Sequence, residues 1–183
     1  MRAPIRLIHR LIPALLLGGW SISASAQESK PLQPAQSEAQ AIYDIIGTWK
    51  VERLWTNRPS ENGYKIDDPT ALGSLLTVAP ETIHWSYPGG PRFVEVGVCT
   101  GPKPILIGDA NRAKNAAASL APALHHFAVN AAQLSPAYEM KCTGGGHWGP
   151  VEAGGNSYQM VGNTRMIIRW YDGAILLLKR YGD

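Results

Sequence analysis

Few residues in this chain have the types and spacing that chemistry requires. Outside the N-terminal segment the imidazoles are His84, His125, His126 and His147. His125 and His126 are adjacent, so on a strand they face opposite ways and on a helix they diverge by about 100°. Only a gathering of His84, His126 and His147 in space would make a metal site, and loop or surface histidines are the plainer reading. The acidic pair Asp67-Asp68 has ligand chemistry for calcium but precedes Pro69, a setting typical of turns. Cys99 and Cys142 lack the CxxC or CxH neighbours of a zinc site. There is no G-x-S-x-G and no H-E-x-x-H, so hydrolase machinery of those kinds is absent. The glycine-rich stretch Thr143 to Ser157 is not followed by a helical period, so it reads as a hairpin loop and not as a phosphate cradle. The expectation is a non-catalytic protein with no metal and no cofactor.

Residues 1–26 bear on where the chain works. Arg2, Arg6 and Arg10 precede the apolar run Leu11-Ile12-Pro13-Ala14-Leu15-Leu16-Leu17, and Ala24-Ser25-Ala26 follows. These are the parts of a secretory signal peptide, with Gln27 as the expected first mature residue. The apolar run is shorter than the roughly 20 residues that span a bilayer, and no cysteine at the cleavage site offers a lipid anchor. Removing 26 residues from 183 leaves 157, enough for one domain with a real core. Removing the three arginines also reduces 17 Lys and Arg to 14, matched by 14 Asp and Glu. The mature charge is then zero, and nothing in the composition suggests nucleic-acid binding. In the oxidising compartment implied by export, Cys99 and Cys142 are expected to form a disulfide.

The elements that would position these residues are mostly short strands. Residues 27–36, with Pro31 and Pro34, read as a flexible lead-in, and 37–183 as the folded domain. Ser37 can cap a helix carrying Ala39, Ile42, Ile45 and Ile46 on one face, stopped by Gly47. From Thr48 to Trp55 the period shifts towards two. Strands are predicted at Leu75 to Val78, Thr82 to Trp85, Arg92 to Cys99, Tyr138 to Cys142 and Gln159 to Gly162. Thr164 to Tyr171 and Ala174 to Tyr181 flank Asp172-Gly173, which predicts a two-residue hairpin turn. Asn111 to His125 reads as an inserted helix disturbed near its end by Pro122. Many short strands with regular turns predict a mainly β fold, an antiparallel sandwich or barrel.

Gly47-Thr48-Trp49, entered from a short helix and opening the first strand, resembles the G-x-W signature of lipocalins and related calycin barrels. The stretch from Trp170-Tyr171-Asp172-Gly173 to Leu178-Lys179-Arg180 is similar to the final hairpin of small bacterial lipocalin-like domains. The resemblance implies an antiparallel up-and-down β-barrel of eight strands with a short N-terminal helix. It also implies that Trp49 plugs the closed end with Lys179 or Arg180 across its ring. The T-D-Y motif usual between later lipocalin strands is missing.

Five tryptophans and seven tyrosines follow residue 26, against two phenylalanines. Such rings suit a pocket mouth or an interface, and equally a barrel core that lacks phenylalanine. The inward candidates are Trp85, Val94, Val96, Val98, Tyr138, Met140, Met166, Ile168 and Trp170. Of these, Trp85, Tyr138, Met140, Met166 and Trp170 are the expected ligand-binding residues. A barrel lined this way either holds one small hydrophobic ligand or closes on its own side chains. The first option makes the chain an exported ligand-binding protein. The second makes it a protein–protein module, such as an inhibitor of an exported hydrolase. Bacterial lipocalin-like metalloprotease inhibitors share the short N-terminal segment, the G-x-W and a single disulfide, though their cysteines lie closer together than Cys99 and Cys142.

Overall fold

The computed structural model describes residues 34–59, 63–86, 97–108, 110–149 and 157–182. The expected signal peptide, most of the lead-in, and Val94 and Val96 lie outside them.

Gly47 ends one element and begins the next. Helix α1 (Pro34–Ile45) stops two residues before it, and strand β1 (Gly47–Thr56) starts on it. The helix begins at Pro34 and not at Ser37, consistent with proline's preference for a first helical turn. Gly47 has φ +135°, and a Cβ there would lie 2.8 Å from the Arg180 guanidinium. Glycine is needed for that close approach as well as for the turn.

Seven further strands follow: β2 (Leu75–Val78), β3 (Thr82–Ser86), β4 (Cys99–Leu106), β5 (Tyr138–Gly145), β6 (Ser157–Val161), β7 (Arg165–Arg169) and β8 (Ala174–Arg180). Each pairs antiparallel with its neighbour in sequence, and β1 closes onto β8, giving an eight-stranded up-and-down barrel. Among the described residues each strand therefore has a hydrogen-bonded neighbour on both sides, though β3 meets β4 and β5 meets β6 over only two residue pairs each. The inward faces alternate as a half-buried sheet requires. Trp49, Val51 and Leu54 of β1, Leu76 and Val78 of β2, and Ile83 and Trp85 of β3 are all buried. A register shift between Val51 and Arg53 is a bulge that keeps Leu54 facing inward.

Three local expectations are corrected. Strand β4 spans Cys99–Leu106, so the chain pairs beyond the predicted Arg92 to Cys99. Residues 92–96 of that prediction lie outside the described residues, and Val98, expected inside, is 48% exposed. Pro102 and Pro104 fall inside this strand, where proline cannot donate to a ladder. They are tolerated because β3 pairs with β4 only as far as Thr100, so their missing N–H groups leave no bond to β3 unmade. The β7–β8 connection is a 3-10 turn over Tyr171–Gly173, with Trp170 N donating to Ala174 O at 2.8 Å, in place of a two-residue turn. Helix α2 (Ala110–His126) runs through Pro122 without ending. Its buried Leu120, Ala123 and Leu124, with Phe127 and Val129 beyond it, cover the outward Val161, Ile167, Ile175 and Leu177 of the barrel wall. Burial of that apolar face offsets the backbone bond that Pro122 gives up.

Candidate functional site

At the closed end, α1 is fastened through its last carbonyls, the groups a helix leaves without internal partners. Trp49 Nε1 donates to Ile45 O at 2.7 Å. Arg180 donates from NH1 to Ile46 O at 2.7 Å and from NH2 to Asp44 O at 2.8 Å. Its guanidinium carbon sits 4.3 Å from the centre of the Trp49 ring. A cation at a helix C-terminus is favoured by the helix dipole as well. Arg180 is therefore the basic residue over the tryptophan. Lys179 faces outward and is exposed. Tyr158 adds a third fastening, donating to Ala41 O at 3.2 Å, and its burial pushes the phenol well above the usual tyrosine range.

The interior above this plug is occupied by side chains. Trp85 and Trp170 meet edge to face with ring centres 5.0 Å apart, and Trp148 meets Tyr158 in the same manner at 5.9 Å. Trp85 Nε1 donates to Trp148 O at 2.7 Å, and Trp170 Nε1 donates to Tyr64 Oη at 3.1 Å. The polar handles of Trp85 and Trp170 are thus spent within the protein. Met140, Met166, Ile168, Leu176 and Leu178 are each fully buried between them. Of the five expected ligand-binding residues, Trp85, Met140, Met166 and Trp170 are buried in this cluster. Tyr138 is half-buried, stacked on Tyr158 with ring centres 5.7 Å apart. Sequence reasoning missed Tyr64 and Trp148 as members of the cluster, because both come from loops with no periodicity. Among the described residues two buried side-chain polar atoms, Trp148 Nε1 and Ser74 Oγ, make no hydrogen bond.

Cys99 and Cys142 are disulfide-bonded with Cα atoms 5.2 Å apart, joining β4 to β5. The histidines do not gather, and among the described residues no three His, Cys, Asp or Glu side chains are placed to hold a metal ion. His126 instead joins a surface cluster. Asp67 accepts from Arg53 Nε at 3.0 Å and from Leu54 N at 3.0 Å, with His126 Nε2 at 3.3 Å from its Oδ2. Partial burial by itself raises the Asp67 pKa, but the bonds from Arg53, Leu54 and His126 outweigh it and hold the carboxyl below its ordinary value. Asp68 accepts from Lys65 N, Thr70 N and Thr70 Oγ1. Asp68 thus holds the turn, while Asp67 ties it to β1.

Two grooves lie on the outside of the molecule. One, of about 420 Å³, is at the closed end against α1, between Tyr43, Asp44, Pro136, Tyr138, Tyr158 and Met160. The other, of about 700 Å³, runs along β1 between Leu72-Gly73 and the end of β8, with Lys50, Glu52, Lys179 and Tyr181 in its walls.

Comparison with known proteins adds no relative: no protein-family model, no curated protein and no solved structure matches the chain.

Proposed function

We propose that this chain is an exported, non-catalytic protein-binding module on a lipocalin-like barrel, acting through its outer surface. The observation that carries the reading is the filled interior. Four tryptophans, Trp49, Trp85, Trp148 and Trp170, sit in the core at 8% exposure or less, and three of their four N–H groups bind acceptors of the protein itself. An eight-stranded barrel has room for a small ligand only when its side chains leave that room. Both grooves described above lie on the outside, where a partner chain would meet them. Export is supported by the signal-peptide pattern of residues 1–26 and by the disulfide, which persists in oxidising compartments. Among the described residues no helix is long and apolar enough to cross a membrane.

A second reading, the small hydrophobic ligand inside the barrel, draws on one observation. Trp148 Nε1 is a buried donor without an acceptor, at a cost of about 1–3 kcal/mol, and a ligand oxygen would satisfy it. The two readings separate in native mass spectrometry of protein purified from its own source. The expected spectrum contains the chain bound to a second protein. A mass increment of a few hundred daltons with no protein partner would overturn the proposal in favour of the ligand.

A further inference from the structure

The outer face of β7, β8 and β1 is divided by height. In the upper row Ile167 stands opposite Leu177, and Leu177 opposite Arg53. Both apolar members are covered by α2 and its extension, and Arg53 is neutralised by Asp67. In the lower row Arg165 stands opposite Lys179, and Lys179 opposite Lys50. Neighbouring strands are about 4.8 Å apart, so these three cations are held side by side across the sheet, an arrangement that destabilises it. Lys50 and Lys179 are exposed and Arg165 is half-buried. Among the described residues none of the three has a carboxylate partner. None of the three belongs to either apolar cluster of the molecule, inside the barrel or under α2.

The row borders the groove of about 700 Å³ along β1. Tyr181, 56% exposed, stands on one wall, and Leu72 on the other. Glu52, exposed at the β1 bulge, is the groove's one acidic side chain. We propose that this groove and its cationic row bind an acidic, extended segment of a partner protein. The carboxylates would lie against Lys50, Lys179 and Arg165, and the side chains between them against Tyr181 and Leu72. This deepens the protein-binding reading and rests on it. A concave groove suits a chain segment. A sheet of anionic lipid headgroups meets convex surfaces, and Glu52 would repel it, whereas a peptide offers Glu52 backbone N–H groups.

The test uses the exported chain with its disulfide intact and three probes in fluorescence anisotropy or sedimentation. The probes are a short labelled peptide alternating glutamate and valine, its glutamine counterpart, and vesicles of phosphatidylcholine with phosphatidylserine. Saturable binding is expected for the glutamate peptide alone, weakening as salt is added. The double variant Lys50→Gln/Lys179→Gln should bind it roughly tenfold more weakly, because two exposed charge contacts are lost. Its melting temperature should stay level or rise, because a repulsive pair is removed. Equal binding by the variant, no binding by the parent chain, vesicle binding that matches the peptide, or a fall in melting temperature would each overturn the proposal. If the double variant keeps a native partner that the parent chain carries, the acidic-segment inference fails while the protein-binding reading stands.

Discussion

Trp49→Ala is expected to lower stability by about 3–5 kcal/mol, as a large aromatic removed from a fully packed site. That is a large share of the roughly 5–15 kcal/mol that holds an ordinary domain together. The indole is 0% exposed, donates to Ile45 O and carries the Arg180 guanidinium on its face. Its loss opens a cavity at the closed end and leaves Ile45 O without that donor. It also removes the ring beneath Arg180, a contact worth about 0.5–2 kcal/mol by itself. Those terms overlap, so the cavity figure stands as the estimate for the whole. Chemical denaturation of the variant, read by far-ultraviolet circular dichroism, measures the loss. A variant whose unfolding midpoint matches the parent chain would contradict the closure described here.

The second large effect concerns the disulfide. The bond between Cys99 and Cys142 spans 43 residues of sequence, and such a loop constrains the unfolded chain by about 4 kcal/mol in the chain-entropy model. The closed loop contains α2, so the bridge ties the two strands that flank the inserted helix. In Cys99→Ala/Cys142→Ala the melting temperature should fall by roughly 8–16 °C for a domain of this size. Calorimetry of the double variant beside the oxidised parent chain checks this. A fall of less than about 2 °C would mean that the loop is already constrained in the unfolded state.

Much of the barrel was legible because it depends on local patterns. The helix stop at Gly47 and the switch to period two at Thr48 are written in consecutive residues, whereas the contact of Trp49 with Lys179 or Arg180 was expected only from the lipocalin resemblance, and the fold selects Arg180. The cysteine pair was readable from chemistry alone. What failed depended on neighbours. Pro102 and Pro104 disqualify a central strand, and only the early end of β3 makes β4 acceptable at that position. Pro122 breaks a solvent-exposed helix, whereas α2 is held by the wall it covers. Val98 has an inward rhythm in sequence, yet the adjacent Cys99 is the inward residue and fully buried, so Val98 faces out.

The candidate site was less legible than the fold. Trp85, Met140, Met166 and Trp170 were correctly expected to face inward, but whether a lining leaves space is set by what enters from elsewhere. Tyr64 and Trp148 come from loops, and their contribution to the filling has no periodic signal. The cationic row of Arg165, Lys179 and Lys50 is scattered over more than a hundred positions of sequence, and only strand register brings it together.

The central claim, that the barrel interior is occupied by the protein's own side chains, is tested most directly by titrating the oxidised protein with an apolar fluorescent probe. Trp148→Phe is titrated in parallel, since it removes an indole donor that makes no hydrogen bond in the interior while keeping an aromatic ring. The filled interior predicts no saturable site in either protein. A one-to-one site in the parent chain that is lost or weakened in Trp148→Phe would contradict it, and would mark the barrel as a container for a small molecule.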